Sequence, residues 1–174
     1  MTLQELEKIK EDNEITYNDL LQCIEWKNRR SEIIERDNNK CRNCGKTKTG
    51  KIFSGTKVIY LKLDKEAIEN GENVVASEPV HLEVHHKYYV LNREPWNYKN
   101  DALLTVCREC HEDIHSKTKI EVYDEKMVTK LEFGVCSRCS GKGNLTEYNH
   151  IQGGVCFKCG GSGINIPFKY NGKK

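Results

Sequence analysis

The chain has 174 residues, of which 37% are hydrophobic and 31% charged, and its formal net charge is only +2. This length suits one ordinary domain, or one domain with a small appendage. The low apolar content predicts that something besides hydrophobic burial helps to stabilise the fold. The near-neutral total charge indicates no particular partner.

Charge is distributed unevenly along the chain. Residues 27–62 contain 11 basic and three acidic residues, whereas residues 64–83 contain one basic and six acidic residues. From residue 134 onward, six basic residues accompany a single acidic one. Two basic stretches separated by an acidic one are compatible with a phosphate backbone as partner. A solvated surface is the alternative interpretation.

Composition also bears on the compartment. No hydrophobic run approaches the ~20 residues of a membrane span, and the acidic, polar start "MTLQELEKIKEDNE" is unlike a secretory signal. We therefore expect a cytoplasmic protein without a membrane partner. Thiols stay reduced there, so nine cysteines indicate metal binding before disulfides. The Lys-, Asn-, Ile- and Glu-rich composition is typical of bacterial or phage proteins.

Hydrophobic spacing predicts a helix from Tyr17 to Asp37, with Cys23 as a buried apolar residue within it. A Gly- and Lys-rich loop follows, then a strand-like run at 53–63 and a segment at 64–79 that is either a short helix or a loop. The sequence "VHLEVHHKYYV" returns to strand, and residues 91–101 form a loop. A short helix is predicted at 109–116, whereas residues 121–133 are either helical or extended.

The amino-acid composition changes near residues 130–134, and from there the chain is Gly-rich, Cys-rich and basic. We predict an N-terminal extension at 1–16, a main domain at 17–130 and a C-terminal module at 131–174. The C-x-x-C unit recurs in this module and is the internal repeat of the sequence.

Eight of the nine cysteines form four C-x-x-C pairs. A C-x-x-C turn directs two thiolates to one point, and two turns complete a tetrahedral Zn²⁺ site. The last two pairs share the pattern C-x-x-C-x-G-x-G and are predicted to form one site, which leaves the first two pairs for a long-range site. The predicted ligand sets are Cys41, Cys44, Cys107 and Cys110 for one zinc ion, and Cys136, Cys139, Cys156 and Cys159 for the other.

Structural zinc contributes on the order of 10 kcal/mol or more to the folding of small domains, which would compensate for a thin core. A redox role for a single pair is the alternative. The string "CRECH" also fits the haem attachment pattern C-x-x-C-H, but that attachment takes place outside the cytoplasm.

The histidines suggest a further metal site. His111 and His115 lie four residues apart in "HEDIH", directly after Cys110. On a helix this spacing places both imidazoles on one face, which supplies two ligands of a three-ligand site. The strand sequence "EVHH", with adjacent His85 and His86, offers a third ligand.

Together, "CRNC…EVHH…LLTVCRECHEDIH" resembles the HNH endonuclease family over roughly residues 26–117. The resemblance implies an α+β fold, in which a small zinc-stabilised ββα-metal domain with an N-terminal helix precedes the C-terminal zinc module. It implies that His85, His111 and His115 bind a catalytic divalent ion (Mg²⁺, Mn²⁺, Ni²⁺ or Zn²⁺) and that His86 is the general base. Cys41, Cys44, Cys107 and Cys110 match the structural zinc ribbon of the family.

The resemblance implies metal-dependent hydrolysis of phosphodiester bonds in nucleic acid, with DNA as the expected substrate. A neutral imidazole accepts a proton from water near neutral pH, and a divalent ion stabilises the leaving oxyanion. Strand neighbours point to opposite faces, so His85 and His86 are expected to share a site only if the strand ends or bends there. The expected phosphate contacts are Arg29, Arg30, Arg42, Lys46 and Lys48.

One position departs from the family pattern. Many HNH proteins carry an Asn nine residues before the first helical His, and that position is Ala102 here. In the family this Asn constrains the loop and helps to orient the base; Asn100 or a backbone carbonyl are the candidates to replace it. Ala102 favours the alternative function, a catalytically silent zinc protein that binds nucleic acid or a protein partner.

The doubled C-x-x-C-x-G-x-G of the C-terminal module resembles the cysteine-rich module of DnaJ-type chaperones. One such unit implies no chaperone activity. The module is expected either to bind nucleic acid or a protein partner, or to serve as a zinc-stabilised extension.

Overall fold

A computed structural model describes residues 1–10, 15–148, 150–151 and 154–170. The described chain is an α+β fold of short elements. Its helices are α1 Leu3–Ile9, α2 Tyr17–Leu20, α3 Ile24–Arg36, α4 Lys65–Glu69 and α5 Arg108–Lys117. Its strands are β1 Thr49–Ser54, β2 Lys57–Lys62, β3 Val75–Ala76, β4 Leu82–His86, β5 Tyr88–Val90, β6 Leu103–Cys107, β7 Glu121–Tyr123 and β8 Lys130–Leu131. None of these helices combines the length and apolar character that a transmembrane segment requires.

The prediction of one continuous helix from Tyr17 to Asp37 is wrong. A capping box at Thr16 starts α2, and the extended backbone of Cys23 separates α2 from α3. Leu20 and Cys23 are both fully buried, so the break leaves the apolar spacing intact and the pattern does not reveal it. Cys23 is a buried apolar residue, as expected, and packs in an N-terminal cluster with Leu6 and Ile15.

The strand-like run at 53–63 contains the end of β1, the turn and the whole of β2, which together form a hairpin. β1 pairs with β2 in antiparallel register from Thr49↔Lys62 to Ser54↔Lys57, and the turn passes through Gly55 at φ +62°. The sequence did not suggest β1, because most of its residues are exposed and lack strict alternation. β3 adds a short third strand beside β2.

The main core lies between α3 and the antiparallel pair β4–β6. Ile33 and Ile34 of α3 pack against Val84 of β4 and against Leu103 and Val106 of β6. β6 was not predicted as a strand, although it is buried along most of its length. It leads directly into α5 at Cys107, so the strand pair and the helix form one continuous unit.

A third sheet joins β5 in parallel to β7, which pairs with β8 in antiparallel fashion. Residues 121–133 therefore contain extended structure, which decides between the two alternatives left by the sequence. Ile164 and Ile166 of the C-terminal module pack against a cluster of Tyr89, Ile120 and Val122. The module is thus packed onto the third sheet.

Candidate metal centres

Among the described residues, three groups of side chains bring possible metal-ligating atoms within 4.8 Å of one another. Two of them are four-cysteine clusters with the predicted pairing. The third is a cluster of three histidines. The members are Cys41, Cys44, Cys107 and Cys110; Cys136, Cys139, Cys156 and Cys159; and His85, His111 and His115.

The sulfur spacing in the four-cysteine clusters suits zinc. Sγ atoms lie 3.6 Å apart for Cys44 and Cys107, and 3.8 Å apart for Cys139 and Cys159. A disulfide would require about 2.05 Å, whereas four sulfurs at about 2.3 Å from a tetrahedral ion lie about 3.8 Å apart. The two clusters could therefore hold two structural zinc ions.

Backbone N–H groups prepare individual thiols in both clusters for metal binding. Burial alone would raise the pKa of Cys41, but N–H donors of Cys107, Cys44 and Asn43 lower it to about 7. At Cys136 burial likewise raises the pKa, and backbone N–H donors lower it to about 7. A thiolate is the form that binds zinc, so these donors favour the ligating state of one thiol in each cluster, whereas burial raises the pKa of Cys107 and Cys159.

The repeated glycines of the C-terminal module allow its two turns to approach each other closely. A Cβ atom at Gly143 would lie 2.3 Å from the carbonyl oxygen of Gly161, and one at Gly163 would lie 2.2 Å from that of Gly141. Gly143 and Gly163 also have positive φ. The pattern C-x-x-C-x-G-x-G thus reflects two interlocked backbone turns.

The histidine cluster joins β4 to α5. The ring centroid of His85 lies 5.1 Å from that of His111 and 5.0 Å from that of His115. The Nε2 atoms of His111 and His115 lie 3.2 Å apart. Nδ1 of His85 is buried and has no hydrogen-bond partner among the described residues. A buried imidazole nitrogen without a hydrogen-bond partner, next to two further imidazoles, is well suited to bind a metal ion.

Glu83 holds one histidine of this cluster in place through a hydrogen bond. Nδ1 of His111 donates a hydrogen bond to Oε2 of Glu83 over 2.6 Å. Because Nδ1 carries the proton, the other ring nitrogen, Nε2, keeps its lone pair and is free to bind a metal ion. Metal-binding histidines are commonly supported by a carboxylate in this way. Burial opposes ionisation of Glu83, but His111 and Arg108 lower its pKa overall.

Burial keeps two of the clustered histidines, His85 and His115, in the neutral form. Burial, followed by the neighbouring histidines, lowers the pKa of His85 to about 2. Burial and His111 likewise lower the pKa of His115 to about 4. Neutral imidazoles are the form that ligates a metal ion.

His86 lies in an aromatic enclosure instead of beside the other histidines. Its ring stacks on Trp26 at 5.1 Å and 23°, and on Tyr89 at 5.4 Å and 30°. Its Nε2 bonds to the carbonyl oxygen of Pro95 over 2.9 Å. A carbonyl only accepts, so Nε2 carries the proton and Nδ1 holds the lone pair. Burial lowers the pKa of His86 to about 4, although the Pro95 bond acts in the opposite direction.

The adjacent pair thus obeys strand alternation. β4 does end at His86, but His85 faces α5 whereas His86 faces Trp26 of α3. The two rings diverge to opposite faces, so the expectation that the strand brings both histidines into one site is wrong. What connects their surroundings is a cleft of about 830 Å³, which both His86 and His111 line.

The loop before β6 is held without the Asn of the family pattern. Ala102 is buried, and its carbonyl oxygen accepts the N–H of Lys87. Tyr98 accepts the N–H of Val90 on its hydroxyl, and Asn100 accepts a hydrogen bond from Arg29. The side chain of Asn100 is therefore directed to α3, and the contact that orients His86 is the carbonyl of Pro95.

Two of the expected phosphate contacts line the cleft. Arg30 reaches it from α3 and also donates to the carbonyl of Leu82. Lys46 lines it too, but its ammonium lies 3.1 Å from Glu78 and 3.0 Å from Glu109.

The other three lie elsewhere. Arg29 is half-buried and donates to the carbonyl of Tyr98 over 3.0 Å. The guanidinium of Arg42 is 4.0 Å from Asp37, and its side chain is 61% exposed. Lys48 is half-buried just before β1. A phosphate role for the five basic residues stays a prediction.

Sequence reasoning missed the residues that orient the histidines. The position of Glu83 near the site is predictable from the sequence, since it lies two residues before His85 and strand alternation puts both side chains on one face. Trp26 has no comparable local signal, and Pro95 lies in the predicted loop at 91–101. Their contacts with His86 arise from tertiary structure alone.

No family model, no curated protein and no solved structure matches this chain. The interpretation of the histidine cluster therefore depends on its own geometry.

Proposed function

We propose that the protein is a metal-dependent endonuclease that hydrolyses phosphodiester bonds of nucleic acid, with DNA as the expected substrate. The observation that carries the proposal is the cluster of His85, His111 and His115, with the Glu83 carboxylate behind His111. Its position between β4, β6 and α5 supports the resemblance to the ββα-metal arrangement of HNH nucleases.

The three histidines would hold one divalent ion. The buried, unpartnered Nδ1 of His85 and the Nε2 atoms of His111 and His115 fit such an ion as ligands. Neutral ligands leave the ion its full charge, and when bound it supplies polarisation of the phosphate and stabilisation of the leaving oxygen.

His86 would act as the general base. The bond to Pro95 fixes its tautomer, and the stack on Trp26 and Tyr89 fixes its plane. Nδ1 is then the atom that takes a proton from water, and the low pKa keeps the ring neutral before the reaction. His86 would thus act in the cleft that it lines together with His111, whereas His85 would hold the ion on the opposite face of β4.

A plasmid-nicking assay tests the proposal. Wild-type protein in Mg²⁺ or Mn²⁺ is expected to convert supercoiled plasmid to the nicked or linear form, and His86→Ala to lose about 10²-fold or more of this rate. His81→Ala is the matched control, because His81 lines the same cleft but is exposed, and its loss should change the rate by no more than a few fold. Equal cleavage by His86→Ala and wild type would remove His86 from the mechanism.

The second candidate is a catalytically silent zinc protein that binds nucleic acid or a protein partner, which Ala102 favours. Metal content separates the two. Both require two tightly held zinc ions, but only the nuclease requires a third, exchangeable divalent ion together with cleavage. Nucleic-acid binding without a third ion and without cleavage would establish the silent alternative.

A further inference from the structure

The C-terminal module touches the helix that carries two of the clustered histidines. Nδ2 of Asn144 donates a hydrogen bond to Oε1 of Glu112 over 2.9 Å. Glu112 follows His111 in α5, and Asn144 lies between the two cysteine pairs of the module, only 9% exposed. This bond joins the folded part of the module to the first half of α5.

Gly163 makes a second contact. A Cβ atom there would lie 3.2 Å from Nδ1 of His115, so the module's backbone packs directly against the imidazole. Nε2 of His115 faces His111, and Nδ1 faces the module. A glycine at φ +73° leaves the space that this approach requires. The module thus covers one side of the histidine cluster.

The module also forms part of the cleft wall. Gly160 and Gly161 line the cleft together with His86 and His111. Gly160 approaches Tyr17 so closely that a Cβ atom would lie 2.7 Å from its ring. Cys159, a member of the module's four-cysteine cluster, directly precedes these glycines, so zinc binding there would act on the same turn that forms the cleft wall.

We propose that the C-terminal module is a positioning element of the histidine site, and that the zinc ion of the module controls metal binding by His85, His111 and His115. The inference rests on the proposed divalent-ion site at these histidines. The knuckle turns are organised when four thiolates bind zinc. Without that ion, Asn144 and Gly163 lose their fixed positions against α5, and the orientation of His115 is no longer restrained.

The test uses the full chain with two variants and two measurements. Cys156→Ser removes a zinc ligand of the module, and Asn144→Ala removes the bond to Glu112 while all zinc ligands stay. Ser137→Ala is the matched control, since it deletes an exposed hydrogen bond within the module, to Lys158. The measurements are the Co²⁺ affinity of the histidine site, followed by optical absorption, and hydrogen exchange of the α5 amides.

We expect Cys156→Ser to weaken Co²⁺ binding at the histidines by about 10–100-fold, the range typical of lost support around a ligand. Asn144→Ala should weaken it by about 2–10-fold, as for one lost hydrogen bond. Both should increase exchange in α5, and Ser137→Ala should change neither quantity. If Cys156→Ser unfolds the chain, Asn144→Ala alone decides the outcome.

Unchanged Co²⁺ affinity and unchanged α5 exchange in Asn144→Ala, with both zinc ions retained, would overturn the proposal. The exchange measurement also separates this failure from a failure of the proposed function. If wild-type protein binds no Co²⁺ at the histidines, the endonuclease proposal fails, and with it the metal-control part of the inference. Increased α5 exchange in the variants would then still support docking of the module on α5, and unchanged exchange would reject that as well.

Discussion

The carboxylate of Glu83 accepts a hydrogen bond from Nδ1 of His111 over 2.6 Å, across the space between β4 and α5. This bond sets the ring orientation of His111 and leaves its Nε2 facing Nε2 of His115 at 3.2 Å. Arg108 lies 3.7 Å from the other oxygen of Glu83 and helps to keep it ionised. The geometry of the histidine site therefore depends on a residue that is not itself among its ligands.

Glu83→Gln should weaken divalent-ion binding at the histidines by about 10–100-fold, because a neutral amide is a poorer partner for the imidazole N–H. Isothermal titration with Mn²⁺ on zinc-loaded protein measures this. Glu78→Gln is the control, since Glu78 lines the same cleft but is exposed and pairs with Lys46. Equal affinities for Glu83→Gln and wild type would show that Glu83 has no part in metal binding.

Trp26 is expected to stabilise both the core and the position of His86. It is buried in the main core and its indole stacks on the His86 ring. Trp26→Ala should cost about 3–5 kcal/mol of unfolding free energy. Trp26→Phe keeps an aromatic surface for the stack and should cost clearly less. Urea denaturation followed by circular dichroism gives both values, and equal losses would argue against a stacking contribution.

Asp37 ties the end of α3 to β6. Its Oδ2 accepts the N–H of Thr105 at 3.2 Å and a hydrogen bond from Arg36 at 2.8 Å. Asp37→Asn places an amide where two donors converge, and should lower the unfolding free energy by about 1–3 kcal/mol at neutral pH. Asp113→Asn, which alters an exposed pair with Lys117, should cost less than about 0.5 kcal/mol.

The contribution of Asp37 to the free energy of unfolding should decrease as the pH is lowered. Burial opposes its ionisation, but Arg36 and Thr105 lower its pKa below the usual value. A carboxyl with a lowered folded-state pKa stabilises the fold above its unfolded pKa of about 3.9, and loses that contribution as pH falls through the folded pKa. The difference between wild type and Asp37→Asn should therefore shrink below about pH 4. A difference that grows on acidification would contradict this assignment.

Zinc binding by the first four-cysteine cluster should depend on Cys41 and not on Cys23, although both are buried. Cys41→Ser is expected to reduce the zinc content from two ions to one and to lower the melting temperature strongly, since structural zinc contributes to folding directly. Cys23→Ala should keep both ions and lose only packing energy. Two zinc ions retained in Cys41→Ser would show that Cys41 is not a ligand.

The candidate sites illustrate which features a single sequence contains. The pairing within the four-cysteine clusters followed from a repeated local pattern, and the shared face of His111 and His115 from helical spacing. The stretch "EVHH" provided the third histidine. In each case the relevant information lies within a few neighbouring residues.

Other features depend on contacts between distant segments. The break between α2 and α3, the exposed strand β1 and the parallel pairing of β5 with β7 leave no periodic signal of their own. The carbonyl of Pro95 binds His86 only because the loop folds back over β4. The docking of Gly163 on His115 brings together residues 48 positions apart, which no local pattern predicts.

Binding of Co²⁺ to zinc-loaded protein, followed by its d–d absorption, tests the histidine metal centre most directly. We predict one Co²⁺ site per chain in addition to the two zinc ions, without thiolate charge-transfer bands, because its ligands are imidazoles. The site should be lost in His115→Ala and kept in His86→Ala. Absence of this third site, or its persistence in His115→Ala, would contradict the assignment of the histidine cluster as a metal centre.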